Sequence, residues 1–280
     1  MKSLVSLIFI ALLGPALAAP SNSLLVEDMT WTEVRDAISA GKTTAIYYAA
    51  SIEQNGPGVA LGKHLFVAHY LSQKIAAQLG NALVYPTMPF APTGDWGLTN
   101  PGTIDPAKKT GHMRYAGSVN LSEETFGAVA HDVALSAISA GFKNVVLMCD
   151  HGGKAQSQLD QVAKAMNMEW SPKGIHVYYI PDLYFKEKQV MKERLQKLGI
   201  PEDKHAGTDD TSELEYIDKM VNGNSPKWVH SNKLVKGREG DSSGVDGDQT
   251  KATLALGKLF TDTKVSFAVN EIKDSIAAGK

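Results

Sequence analysis

The segment Gly141-Phe-Lys-Asn-Val-Val-Leu-Met-Cys-Asp-His-Gly-Gly153 decides how the rest of the chain is read. Its centre, Asn144-Val-Val-Leu-Met-Cys149, is a short apolar run without polar alternation, the pattern of a strand buried on both faces. Directly upstream, residues 122–141 read as a helix. Ser122 is its N-cap, Glu123 and Glu124 lie in its first turn, Gly141 stops it, and Val129, Val133 and Ile138 recur on one face. A helix feeding a buried strand that ends in Asp150-His151-Gly-Gly153 is an α/β unit with titratable side chains at the strand's carboxyl end.

The same alternation extends outward. Residues 45–49, 82–85 and 175–180 read as further buried strands, and residues 31–39, 65–79, 155–166, 186–198 and 252–277 as helices. Strands separated by helices require right-handed crossovers, so the expected fold is α/β, a three-layer α/β/α sandwich with a mainly parallel central sheet. No repeat or low-complexity linker divides it. Residues 86–117, rich in Pro and Gly, read as a long loop within a single domain spanning 19–280.

Residues 1–18 read as an address. Lys2, an apolar run of about ten residues and the small-residue site Ala16-Leu-Ala18 have the pattern of a secretory signal peptide, which predicts a secreted or periplasmic protein cleaved after Ala18. A membrane anchor is the weaker reading, because a spanning helix needs about 20 apolar residues and Pro15 interrupts this one. The 280-residue chain carries 28 Lys+Arg against 30 Asp+Glu, a net charge of −2, with 43% hydrophobic and 21% charged residues. That balance excludes a disordered chain, and it excludes a nucleic-acid binder that relies on bulk positive charge. Cys149 is the only cysteine, so no intramolecular disulfide forms, and its place at the end of an apolar strand predicts a buried thiol.

In open parallel sheets the ligand site lies beyond the carboxyl ends of the strands. The segments there are Ser51-Ile-Glu53-Gln-Asn55-Gly-Pro-Gly-Val-Ala-Leu-Gly-Lys-His64, then Asp150-His151-Gly-Gly153, and farther on His205-Ala-Gly-Thr-Asp209-Asp210-Thr-Ser212. Glu53, His64, His151 and Asp210 form a candidate metal set, since zinc-like ions take His nitrogen and carboxylate oxygen from separate loops. Each has a plainer alternative: Glu53 as a turn carboxylate, His64 as a helix-start residue, Asp210 as a cap for a following helix. His112 is a further candidate by its place before Gly117, and Trp96 a candidate pocket wall. His69, His131, His176 and His230 read as structural or solvent-facing.

These segments together resemble the creatininase (creatinine amidohydrolase) family. Its E-Q-H-G-P-H-L-P-L-G-T-D is echoed by Glu53-Gln-Asn-Gly-Pro-Gly-Val-Ala-Leu-Gly-Lys-His64, and its F-P-G-T-I-S-L-S by Tyr115-Ala-Gly-Ser-Val-Asn-Leu-Ser122. Its N-G-H-G-G-N resembles the stretch ending Cys149-Asp-His151-Gly-Gly-Lys154, and its H-A-G-x-x-E-T-S resembles His205-Ala-Gly-Thr-Asp-Asp210-Thr-Ser212. Its G-V-x-G-D-P-T-x-A is similar to Gly244-Val-Asp-Gly-Asp-Gln-Thr-Lys-Ala252. The echoes run in order from about residue 44 to 272.

The resemblance implies a divalent-metal hydrolase acting on a non-peptide, often cyclic, C–N amide bond of a small molecule, assembled as a homo-oligomer, commonly a hexamer. It implies metal binding by Glu53 and His151, an active-site role for Asp210, and proton donation to the leaving nitrogen by His205. Two departures bear on the metal. The family's second-position His is Asn55, a poor zinc ligand, and its bridging Asp is His64, whose imidazole cannot bridge closely spaced ions as a carboxylate does. One zinc-like ion, held by Glu53, His64 and His151 with or without Asp210, is therefore expected rather than two. Residues 199–204 lack the aromatic that covers creatinine in the family, so the resemblance implies another substrate. The competing readings are a non-catalytic binding protein on the same scaffold and a deformylase or peptidase-like member.

Overall fold

Strand β1, Thr44–Ala49, is buried along its whole length, and its side chains divide the core in two. The computed structural model describes residues 23–100 and 102–279, which leaves the predicted signal segment 1–18 outside the described residues. β1 is flanked by β2, Ala82–Val84, and by β3, Asn144–Cys149, and β3 in turn by β4, His176–Tyr179. All three pairings are parallel, giving the order β2-β1-β3-β4, with Thr44 opposite Asn144 and Ala49 opposite Cys149.

Successive side chains of a strand face opposite ways, and the two core clusters follow that rule. Ile46, Tyr48, Val146 and Met148 face a layer formed by α2 (Lys63–Leu79), α6 (Thr208–Asn222) and α7 (Leu254–Ala278). Ala45, Tyr47, Ala49, Val145 and Leu147 face α3 (Glu123–Ala140) and α4 (Lys154–Trp170), with α1 (Trp31–Ser39) at their edge. Helix α5, Asp182–Lys197, follows β4 and packs on α7 through Met191, Leu195, Leu256 and Phe260. The architecture is thus the three-layer α/β/α sandwich with a parallel sheet that the sequence predicts.

Chain order fixes where a ligand fits. From β1 the chain crosses through α2 to β2 on one side, then through α3 to β3 on the other. The crevice between the carboxyl ends of β1 and β3 is therefore the topological switch point at which α/β sheets bind ligands.

Several boundaries differ from the sequence reading. Helix α2 begins at Lys63 rather than residue 65, α4 runs on to Trp170, and α5 starts at Asp182. Helix α3 has the expected caps: the Ser122 side chain accepts from Thr125 N, and Gly141 adopts φ 110°. Its buried stripe, however, is Phe126, Ala130, Ala134 and Ala137, while Val129 and Val133 are only half-buried. Small side chains let this helix lie close to the sheet, and apolar character alone does not rank Ala above Val. The loop 86–117 holds two short antiparallel ladders, Gly94–Asp95 with Thr110–Gly111 and Leu98–Asn100 with Thr103–Ile104. No helix among the described residues is long and apolar enough to cross a membrane.

Candidate metal centre

The turn leaving β1 carries Glu53 into the switch-point crevice, where its carboxylate becomes the focus of three imidazoles. Glu53 is 1% exposed. Its Oε2 accepts from Ser51 Oγ at 2.7 Å and lies 2.8 Å from His151 Nε2. Its Oε1 lies 3.2 Å from His64 Nε2 and 3.5 Å from His112 Nε2. The elements that deliver these groups are distinct: the first turn of α2 for His64, the 3-10 turn His112–Arg114 for His112, and the end of β3 for His151.

The spacing is informative. Four ligands at about 2.0–2.1 Å around a tetrahedral zinc stand about 3.3 Å apart. The three Glu53–imidazole distances bracket that value, but they run to both Glu53 oxygens, and the predicted set Glu53, His64, His151 and Asp210 does not bring its ligand atoms within 4.8 Å of one another. Among the described residues, the group whose ligand atoms do all lie within 4.8 Å of one another is Glu53, His112 and His205, which replaces His64, His151 and Asp210 of the sequence reading with two other imidazoles. The Nδ1 of His151 lies 3.0 Å from the Gly152 carbonyl oxygen, an acceptor that fixes the ring's orientation, while its Nε2 faces the Glu53 carboxylate and would bind an ion by giving up the proton it shares there.

Electrostatics favour an ionised Glu53. Burial pushes its pKa up, but charge and hydrogen bonds from His151 and His64 outweigh this and hold it well below the ordinary carboxylate range. Burial pushes His112 down to about 4, and likewise lowers His205, so both imidazoles are neutral at pH 7. For His64, burial and Lys63 act downward, but Glu53 and the hydrogen bonds to Asp150 and Glu53 raise it overall.

Asp210 and His205 are linked through the backbone. Asp210 lies in the first turn of α6, whose N-cap is Gly207, so it does not cap the helix. One of its oxygens pairs with Lys63 Nζ at 2.5 Å, and the other accepts from Ala206 N at 2.8 Å. Ala206 has φ 56°, alone among the described non-glycine residues in taking a positive value. A left-handed alanine is strained, and the Asp210 carboxylate holds it there. The neighbouring His205 is thereby aimed at the crevice, with Nε2 3.0 Å from the Gln54 carbonyl oxygen.

Asn55 turns away from the crevice: its Nδ2 donates to the Glu53 carbonyl at 2.9 Å and so shapes the turn. Trp96 borders a neighbouring hollow rather than the cavity of about 340 Å³ above Glu53. Buried groups that the sequence reading gave no role complete the wall. Asp150 Oδ2 lies 2.8 Å from His64 Nδ1, and Lys264 Nζ on α7 reaches Asp150 Oδ1 at 2.9 Å and Glu213 Oε2 at 2.6 Å. Lys63 and Lys264 look like surface residues in a helical pattern, and no local signal marks them as buried.

A family model described as creatinine amidohydrolase matches residues 27–272. The chain belongs to the creatininase family. Among solved structures, a creatinine amidohydrolase (creatininase) is similar over 91% of this chain and 98% of its own length, at 19% identity and TM-score 0.70. A creatininase described with Mn covers 90% of this chain and 98% of its own at 17% identity and TM-score 0.68. A Zn–Zn form of a mutant creatininase covers 91% and 99% at 16% identity and TM-score 0.69. At these identities the likeness to the creatininase structures establishes the shared fold. Comparison with curated proteins finds no match.

Proposed function

We propose that this creatininase-family chain is a metal-dependent amidohydrolase that opens a non-peptide C–N amide bond of a small molecule. The observation that carries the reading is the Glu53 carboxylate meeting the Nε2 atoms of His64, His112 and His151 within 3.5 Å at the sheet's switch point. In this reading Glu53 anchors one divalent ion, zinc-like in its donor preference, with further ligands drawn from the imidazoles around it, of which His112 and His205 stand closest to a shared position. The bound ion supplies Lewis acidity toward the amide carbonyl and water.

The chain's own residues supply the rest. Neutral His205 accepts a proton from the attacking water and returns it to the departing nitrogen, a task suited to an imidazole at neutral pH. Asp210 acts as a positioning residue, through Ala206. His112 and His151 shield Glu53 from bulk water, which keeps the site's dielectric low and its fields strong. The cavity of about 340 Å³ suits a small ring rather than a polymer.

The test combines metal content with turnover. Protein purified without chelator is assayed against cyclic amides, formamides and short peptides, then again after chelation and zinc return. Turnover that vanishes with chelation and returns with zinc supports the reading. A metal-loaded protein with no turnover on the panel points instead to a binding protein. Export guided by residues 1–18 and assembly into a homo-oligomer belong to the same proposal. N-terminal sequencing of exported protein and light scattering test them.

A further inference from the structure

Lys63 is 1% exposed, yet it carries a charge into the wall of the metal centre. Its ammonium stands 2.5 Å from Asp210 Oδ1 and 3.3 Å from His64 Nδ1. Lys264, 4% exposed, lies behind it between Asp150 and Glu213, and Asp150 in turn meets the same His64 nitrogen. Lysine is almost never fully buried without partners, because taking an ammonium out of water costs several kcal/mol. Two such residues at one wall therefore form a built arrangement.

The two faces of His64 have different surroundings. Its Nε2 faces Glu53, while its Nδ1 faces Asp150, with Lys63 and through it Asp210 alongside. The Asp150 and Asp210 carboxylates border this side of His64, and the Lys63 ammonium already stands there, paired with Asp210. The same ion pairs tie four carboxylates (Glu53, Asp150, Asp210 and Glu213) to two ammonium groups and the His64 imidazole, which leaves an excess of negative charge for a bound cation to offset.

We propose that the Lys63 ammonium, backed by Lys264, is a built-in substitute for a second metal ion, so that the centre takes one divalent cation on the Nε2 side of His64. This rests on the metal-centre reading above and adds what fixes its stoichiometry. Lysine also takes Asp210 out of the ligand set, since one carboxylate oxygen is held by the ammonium and the other by Ala206 N.

Elemental analysis after zinc loading and gel filtration tests this, with near-ultraviolet circular dichroism to confirm folding. The parent protein is expected to hold about one zinc per chain. Lys63→Ala, which opens the space and frees Asp210, is expected to hold about two. Asp210→Asn, with Lys63 in place, is expected to keep about one, and it decides the matter if Lys63→Ala does not fold. A parent stoichiometry near two overturns the inference, as does Lys63→Ala remaining at one or Asp210→Asn falling to zero. Those outcomes leave the metal centre itself standing. A parent protein that takes up no zinc removes the metal centre and the inference together.

Discussion

At the scale of single residues, Glu53 is the group on which the centre depends. It supplies the negative charge and both oxygens around which the imidazoles gather. Glu53→Gln keeps the shape but loses the charge. It is expected to weaken zinc affinity by more than the ~10–100-fold that outer partners of a metal are worth, and to abolish turnover. Competition with a chromophoric chelator checks this, and an unchanged affinity would contradict the assignment. Cys149 behaves in the opposite way. Burial pushes its thiol far above the ordinary range, so it is expected to resist alkylation in the folded protein and to react at once in urea. Mass spectrometry before and after unfolding measures that difference. That Glu53, His64 and His151 gather in one crevice was legible in the sequence, because a strand end followed by polar residues and glycines is a recognisable place for titratable groups to meet, whereas the closeness of His112 and His205 to Glu53 depends on loops distant in the chain. Lys63 and Lys264 were not. A buried lysine is polar in any hydrophobic pattern, and its partners are distant in sequence: Asp210 for Lys63, Asp150 and Glu213 for Lys264.

At the scale of elements, long periodic segments gave themselves away and short ones did not. The apolar runs of β1 and β3 and the capped α3 could be read directly, because capping and burial act over neighbouring residues. Helix α6 was glimpsed only as the helix that Asp210 would cap, and its start was misplaced: its N-cap is Gly207 and its first turn is Thr208-Asp-Asp210, which resembles a loop. Its contact with α7 is very close. A Cβ added at Gly257 on α7 would stand 1.9 Å from the Ser212 carbonyl oxygen on α6. That position has an ordinary helical setting, so the constraint comes from space rather than from backbone freedom. Gly257→Ala is expected to force the helices apart and to cost about 1–3 kcal/mol, the usual penalty for overpacking. Urea denaturation measures it, and a neutral substitution would show that the α6–α7 crossing yields easily.

At the scale of the whole molecule, the charge network sets how the metal-free protein responds to pH. Glu53, Asp150 and Asp210 are held below their ordinary values by the cations around them, against the upward pull of burial. The stability they contribute is present above the unfolded values of 3.8–4.5 and is lost as pH falls through the lower folded values. His64 acts in the opposite sense. Raised above 6.5, it contributes stability that is fully present below that pH and lost as pH rises through its folded value. Glu271 and Asp209, which burial pushes up to about 7, also make the fold less stable as pH climbs from about 4 to 7. The metal-free chain is therefore expected to be most stable in mildly acidic solution, with urea midpoints falling on both sides. A midpoint that rises steadily from pH 5 to 8 would contradict this, and Glu271→Gln should flatten the decline toward pH 7. The position of Lys264 carries a last consequence. It lies on α7, the final helix, yet it supplies the counter-charge for Asp150 at the end of a central strand. While a ribosome is still making the chain, Asp150 has only His64 and Lys63 nearby and lacks its strongest counter-charge until that late helix emerges. Folding should accordingly wait for synthesis to finish, and a chain stopped before Leu254 is expected to be open to protease throughout.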